Sequence, residues 1–151
     1  MRAVVQRVSS ASVHVDGAEV SAIGKGALAL VGVTAGDAEE DAEYVCRKLF
    51  NLRLWESAEG KPWSASLLSG QLDVLLVSQF TLFADLKANK PSFHRVMPPS
   101  EAGEFYARFV DRVRAAHAPG GQVRDGVFGA HMDVRLANDG PVTVIIDSKD
   151  R

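Results

Sequence analysis

The chain has 151 residues, 46% of them apolar and 24% charged, and a formal net charge of −2. Those proportions fit one soluble globular domain spanning residues 1–151; they exclude a disordered or fibrous chain and argue against a partner captured by bulk positive charge. The single Cys46 allows no intrachain disulfide and no thiolate metal cluster, which fits a reducing compartment.

The opening MRAVVQRVSS holds no apolar stretch long enough for a signal core, and no later run is long enough to span a bilayer, so a cytoplasmic protein is expected. Ala11, Val13 and Val15 alternate with Ser12, His14 and Asp16, and Asp16-Gly17 then marks a tight turn into Ala18 to Ile23, a predicted hairpin. The run ALALVGVT, 27–34, is apolar enough to predict a strand buried on both faces. Asp37 with Glu40 three residues later resembles a capping box, and Ala38, Ala42, Val45, Cys46 and Leu49 recur at helical spacing. A first amphipathic helix is predicted from about Asp37 to about Phe50.

A short strand is predicted near Leu52 to Trp55, followed by turn chemistry at 57–66 and by QLDVLLVSQFTLF, 71–83, which reads as a central strand. Pro98-Pro99-Ser100 opens a second helix with Ala102, Phe105, Phe109, Val113 and Ala116 in one stripe, and Pro119-Gly120-Gly121 ends it. From Val127 to Leu136 the alternation predicts a strand, with Phe128, Ala130, Met132, Val134 and Leu136 on one face and His131, Asp133 and Arg135 on the other. The following ANDGPVTVII, 137–146, reads as a hairpin turn into a last strand, since Asn-Asp-Gly tolerates positive φ and Pro can open a strand without donating to its ladder. The expected fold class is α+β: mostly antiparallel sheet, barrel-like or layered, covered by two amphipathic helices.

The motifs for metal and phosphate chemistry are missing. His14, His94, His117 and His131 are scattered, without HExxH spacing, paired cysteines or grouped carboxylates, and neither a P-loop nor a dinucleotide glycine fingerprint is present. No metal and no cofactor are expected. A local basic patch, LKANKPSFHR, carries Lys87, Lys90 and Arg95; on charge alone it suits nucleic-acid phosphates or a solvated loop equally well. Ser78-Gln79 and Thr81 are the polar residues inside the strongest strand signal. A hydroxyl without a neighbouring base is a poor nucleophile, so by themselves these residues read as strand-end groups satisfied by hydrogen bonds.

Four runs in this order, VSQFTLFAD (77–85), KPSF (90–93), GVFGAHM (126–132) and NDGPVT (138–143), together resemble the D-aminoacyl-tRNA deacylase family, also called D-tyrosyl-tRNA deacylases. The opening MRAVVQRVSSASVHVDG and the segment GDAEEDAEYVCRKLFNLR are similar to it too, so the likeness covers nearly the whole chain. It implies hydrolysis of the ester joining a D-amino acid to the terminal adenosine of tRNA, by a homodimer with active sites at the subunit interface. Ser78, Gln79, Phe80 and Thr81 match the family's SQFT motif, and Gly140 and Pro141 match its Gly-cisPro motif, which the family uses as a backbone wall in the neighbouring subunit's site. Phe128 and Met132 match positions near the adenosine pocket, and Lys87, Lys90 and Arg95 become candidates for phosphates of the acceptor stem. The implied partners are the acceptor end of aminoacyl-tRNA and a second copy of the chain, with neither DNA nor membrane. Competing readings are a non-catalytic module binding the tRNA 3′ end, a hydrolase of small esters or amides, and a structural dimer module.

Overall fold

A computed structural model describes residues 1–87, 89–117 and 120–151; the expected helix stop at Pro119 lies outside the described residues. The first strand, β1 (Arg2–Val15), is long enough to serve two neighbours along one edge. Its first half pairs antiparallel with β3 (Gly26–Gly32), its second half with β2 (Ala18–Ile23), and its other edge pairs with β6 (Asp133–Asp147). The β1–β2 turn is the predicted one: Asp16 and Gly17 both have positive φ, 52° and 81°, the twist that two-residue hairpins favour.

Beyond β3 the pairing changes sense. β4 (Asp73–Ser78) runs parallel to β3, and β5 (Val123–Asp125) parallel to β4. Parallel neighbours need a crossover, and the two amphipathic helices supply it: α1 (Glu39–Asn51), with the short α2 (Leu67–Gly70), before β4, and α3 (Pro99–Ala116) before β5. The fold is therefore α+β, as expected, with a mixed and nearly closed, barrel-like sheet. The local hairpin signals could not show this, because they report on chain neighbours alone.

Side-chain alternation divides the core in two. On β3, Ala27, Ala29 and Val31 face the helices while Leu28 faces the sheet's concave side; on β4, Val74 and Leu76 oppose Leu75 and Val77 in the same way. The larger cluster packs α1 and α3 against the sheet, and the smaller one, with Val8, Val13 and Ile23, fills the barrel. The two-sided burial predicted for 27–34 is thus explained.

Several local expectations are corrected. The α1 cap is not Asp37: Ala38 precedes the helix, and the Asp41 carboxylate accepts the Ala38 N–H at 2.9 Å. Asp37 accepts instead from the Met1 ammonium at 2.5 Å and the Thr34 N–H at 2.9 Å, because a buried carboxylate gains most beside a buried cation. The segment 52–55 makes only an isolated bridge, Trp55 to Ala65. Ala116, in the last turn of α3, is exposed, while Tyr106 and Val110 join the buried stripe. The expected strand from Val127 starts only at Asp133, and 126–132 forms a turn-rich segment with Gly129 at φ 77°.

The largest correction concerns ANDGPVTVII. It is not a hairpin, because both halves of β6 pair with the same strand in the same direction, Leu136 with Ala11 and Val144 with Val5. Between them Asn138 lies opposite Val8 and Thr143 opposite Gln6, so the intervening residues loop out of the ladder as an extended bulge. The Gly140–Pro141 peptide bond is cis, and both residues are exposed. The Asn138 side-chain amide pins the bulge, donating to the Arg7 carbonyl at 2.8 Å and to the Val142 carbonyl at 3.0 Å.

Candidate active site

The parallel strands β3 and β4 end side by side, Val31 opposite Ser78. One further bond extends the ladder, Gln79 N–H to the Val31 carbonyl at 2.7 Å, and the chain then turns into a single 3-10 turn, Phe80–Phe83. The predicted central strand therefore stops at Ser78, short of Phe83, and the strand parity expected for Gln79, Phe80 and Thr81 does not hold. Aromatic and β-branched residues suit a strand, but here the Leu82 N–H bonds back to the Gln79 carbonyl at 3.3 Å and the Ala84 N–H to the Thr81 carbonyl at 3.1 Å. The first amides of such a turn have no partner within it. Among the described residues, the Phe80 and Thr81 N–H groups have none elsewhere either.

Two residues that the sequence reading did not place in the site hold this turn in place. Gly32, the last residue of β3, lies so close beneath it that a Cβ there would sit 3.0 Å from the Gln79 carbonyl oxygen and 3.1 Å from Leu82 Cβ. Arg2 donates through Nη1 to the Leu82 carbonyl at 2.8 Å, forks onto the Asp147 carboxylate at 2.9 and 2.7 Å, and lays its guanidinium over the Phe83 ring. Local pattern could have flagged neither one. The glycine ends an apolar strand, and the arginine acts on residues far along the chain.

In front of the turn lies a cavity of about 500 Å³ between the ends of β3 and β4 and the start of α3. Ser78, Gln79 and Phe80 line one side, and Ala102, Tyr106 and Phe128 the other. Phe80, Phe93 and Phe128 are 54%, 40% and 42% exposed at its rim, unusual for phenylalanines without a covering element. Phe80 and Phe93 meet edge to face at 4.9 Å between centroids. The Thr81 hydroxyl accepts a hydrogen bond from the Gln79 side-chain amide. Of the described residues, no carboxylate or imidazole is hydrogen-bonded to it.

The structure brings Ser78, Gln79 and Phe80 together with Phe128, and Thr81 joins them through Gln79. Met132 lies behind the wall: its sulfur accepts the Val127 N–H at 3.4 Å, and its side chain packs on the barrel core. Gly140 and Pro141 do not line this cavity. Arg7 holds their bulge, bonding the Asp139 carbonyl at 3.2 Å and the Asp139 carboxylate at 3.1 Å.

Of the three basic candidates, Arg95 and Lys87 approach the Asp85 carboxylate at 3.8 and 4.0 Å, beside His94 at 4.0 Å. Lys90 is exposed, as are the other two. Asp85 and Ser92 exchange backbone hydrogen bonds at 2.8 and 3.0 Å and close the base of this loop.

Comparison with known proteins supplies a family. A family model described as D-Tyr-tRNA(Tyr) deacylase matches residues 4–147. The chain is similar to a D-aminoacyl-tRNA deacylase of Dictyostelium discoideum, 47% identical over 152 aligned positions covering 100% of both chains. Among solved structures it resembles one described as c-Myc DNA Unwinding Element Binding Protein, with a TM-score of 0.93, 46% identity and coverage of 97% of this chain and 98% of that one. A probable eukaryotic D-amino acid tRNA deacylase shares the fold at a TM-score of 0.80 and 20% identity, with the same coverage.

Proposed function

The chain belongs to the D-Tyr-tRNA(Tyr) deacylase family, and from that premise we propose how its residues divide the work of cleaving D-aminoacyl-tRNA. The reaction is hydrolysis of a carboxylic ester, releasing a D-amino acid from tRNA. The observation that carries the proposal is the aromatic-rimmed cavity with the Ser78–Thr81 segment, the end of β4 and the start of the 3-10 turn, beside it.

The terminal adenosine enters the cavity and stacks on Phe128; base stacking on an aromatic side chain is worth about 1–3 kcal/mol. Met132 supports the segment that carries Phe128 from behind. The ester carbonyl then lies against the turn, where the unpartnered Phe80 and Thr81 N–H groups receive the oxyanion of the tetrahedral intermediate. A well-aimed donor of this kind contributes about 3–4 kcal/mol. Water is the nucleophile, positioned with help from the adenosine 2′-hydroxyl. Thr81 forms no acyl intermediate, since its hydroxyl has no base to activate it.

Discrimination between enantiomers comes from a second subunit. Gly140 and Pro141, raised out of the sheet by the β6 bulge, reach across a two-fold interface into the partner's site and present main-chain atoms as a wall. With the substrate's amino group held, an L side chain strikes this wall and a D side chain turns away from it. Glycine has no side chain to exclude, so glycyl-tRNA is cleaved as well. Lys87, Lys90 and Arg95 meet acceptor-stem phosphates, each lost contact lowering the slope of log affinity against log salt by about 0.9. The chain acts as one domain, in the cytoplasm, where its lone buried Cys46 stays reduced.

Matched D-, L- and glycyl-tRNA incubated with the purified protein test this reading. Loss of the D- and glycyl-esters with the L-ester spared is expected. Equal loss of both enantiomers would rule out the wall, and an intact glycyl ester would rule out the side-chain clash. Tight tRNA binding without turnover would favour the non-catalytic binding module.

A further inference from the structure

We propose that Tyr106 and Asp125 are positioning residues, a strut between α3 and the 126–132 segment that holds the Phe128 ring where the substrate's terminal base stacks. This deepens the function proposed above and rests on it.

Phe128 sits on a segment outside the sheet, 42% exposed, and its orientation needs an outside cause. Two contacts on α3 supply it. At Gly103 the helix offers a flat surface, where an added Cβ would come within 3.4 Å of Phe128 Cε1. One turn along, the Tyr106 ring lies 5.7 Å from the Phe128 ring, tilted by 34°.

Tyr106 is only 2% exposed, and a buried phenol requires a polar partner. Its hydroxyl donates to Asp125 Oδ1 at 2.7 Å. Asp125 ends β5 at the root of the segment that bears Phe128, and the next residue, Gly126, donates its N–H to the Leu76 carbonyl on β4 at 3.0 Å. The chain of contacts therefore runs from the sheet through Asp125 and Tyr106 to the wall of the cavity.

Burial, reinforced by the Asp125 charge and hydrogen bond, pushes the Tyr106 hydroxyl far above the usual phenol range. It keeps its proton and stays a donor. Burial also raises the Asp125 carboxyl, against hydrogen bonds from Tyr106 and the Gly126 N–H that lower it. A phenylalanine at 106 would fill the same space, so packing alone does not explain the hydroxyl.

Tyr106→Phe removes the strut and leaves the ring. KM for D-aminoacyl-tRNA should rise about tenfold with kcat within about twofold, the scale of one lost hydrogen bond to a charged group. Asp125→Asn retains an acceptor for the phenol and should leave KM within about threefold of the parent's, whereas Asp125→Ala should match Tyr106→Phe. Adding Tyr106→Phe to Phe128→Ala should change KM no further, because the strut acts through that ring. A drop in kcat at constant KM, or full additivity with Phe128→Ala, overturns the proposal. Equilibrium titration with AMP gives a readout independent of turnover. If the parent protein cleaves no ester but Tyr106→Phe still weakens AMP binding about tenfold, the proposed function fails and the strut stands. If the parent is active and the variant leaves both KM and AMP affinity unchanged, the strut fails and the proposed function stands.

Discussion

Thr81 accepts a hydrogen bond from the Gln79 amide, and no imidazole or carboxylate bonds to it among the described residues. An alcohol in that setting keeps its proton at neutral pH, so substitution should cost little chemistry. Thr81→Val is expected to retain at least about a third of the parent's kcat. A loss beyond about a hundredfold with tRNA binding intact would make Thr81 the nucleophile, and trapping of an acyl-enzyme would settle the point. At this scale the site was partly legible. Ser78, Gln79 and Thr81 stood out as polar residues in an apolar run, whereas Tyr106 gave no signal, since an aromatic on a helix stripe reads the same with or without a partner for its hydroxyl.

The turn Phe80–Phe83 owes its position to the end of β3. Gly32 matters there through proximity, not backbone conformation, because a methyl group would press on the Gln79 carbonyl and on Leu82 together. Gly32→Ala should displace the turn, lower kcat at least about tenfold and cost about 1–3 kcal/mol of stability, the usual range for overpacking. Unchanged kcat in a folded variant would show that the turn tolerates displacement and does not set the rate. The same scale explains two failed expectations. Residues 79–83 have strand composition but lack a strand partner beyond Ser78, and residues 138–141 have turn composition but lie within a strand whose partner continues past them. Composition states what a segment can adopt, and pairing decides which option is used.

Across the whole molecule, the β6 end is fastened to α1 through charge. Asp41 is buried; burial raises its carboxyl, but hydrogen bonds from Lys149 and the Ala38 N–H, with the Lys149 charge, outweigh this and hold it far below the usual range near 3.8. Asp147 is likewise lowered: burial raises it, and the Lys149 N–H and Arg2 prevail. Carboxyls depressed on folding add stability that is fully present above their unfolded values and is lost as pH falls through and below them. The thermal midpoint should therefore stay level above about pH 5 and drop as pH falls from about 4. Lys149→Met should lower the midpoint at neutral pH and flatten the acid slope; an unchanged slope would mean that this cluster does not govern acid unfolding.

What the sequence by itself determined is whatever depends on near neighbours. The hairpin at Asp16-Gly17 follows from residues that accept positive φ, the two amphipathic helices from a 3.6-residue repeat, and the doubly buried strand from an unbroken apolar run, all readable within a few residues. Family resemblance added the SQFT and Gly-Pro positions, which those local rules alone would have left as a strand end and a turn. Tertiary structure alone decided that β4 lies parallel to β3, that β6 passes its Gly-Pro bulge without reversing, that Gly32 and Arg2 meet at the Phe80–Phe83 turn, and that Tyr106 lines the cavity in front of it. Each of these depends on a partner tens of residues away, and the free energy of such a contact resides in the pair, not in either segment read separately.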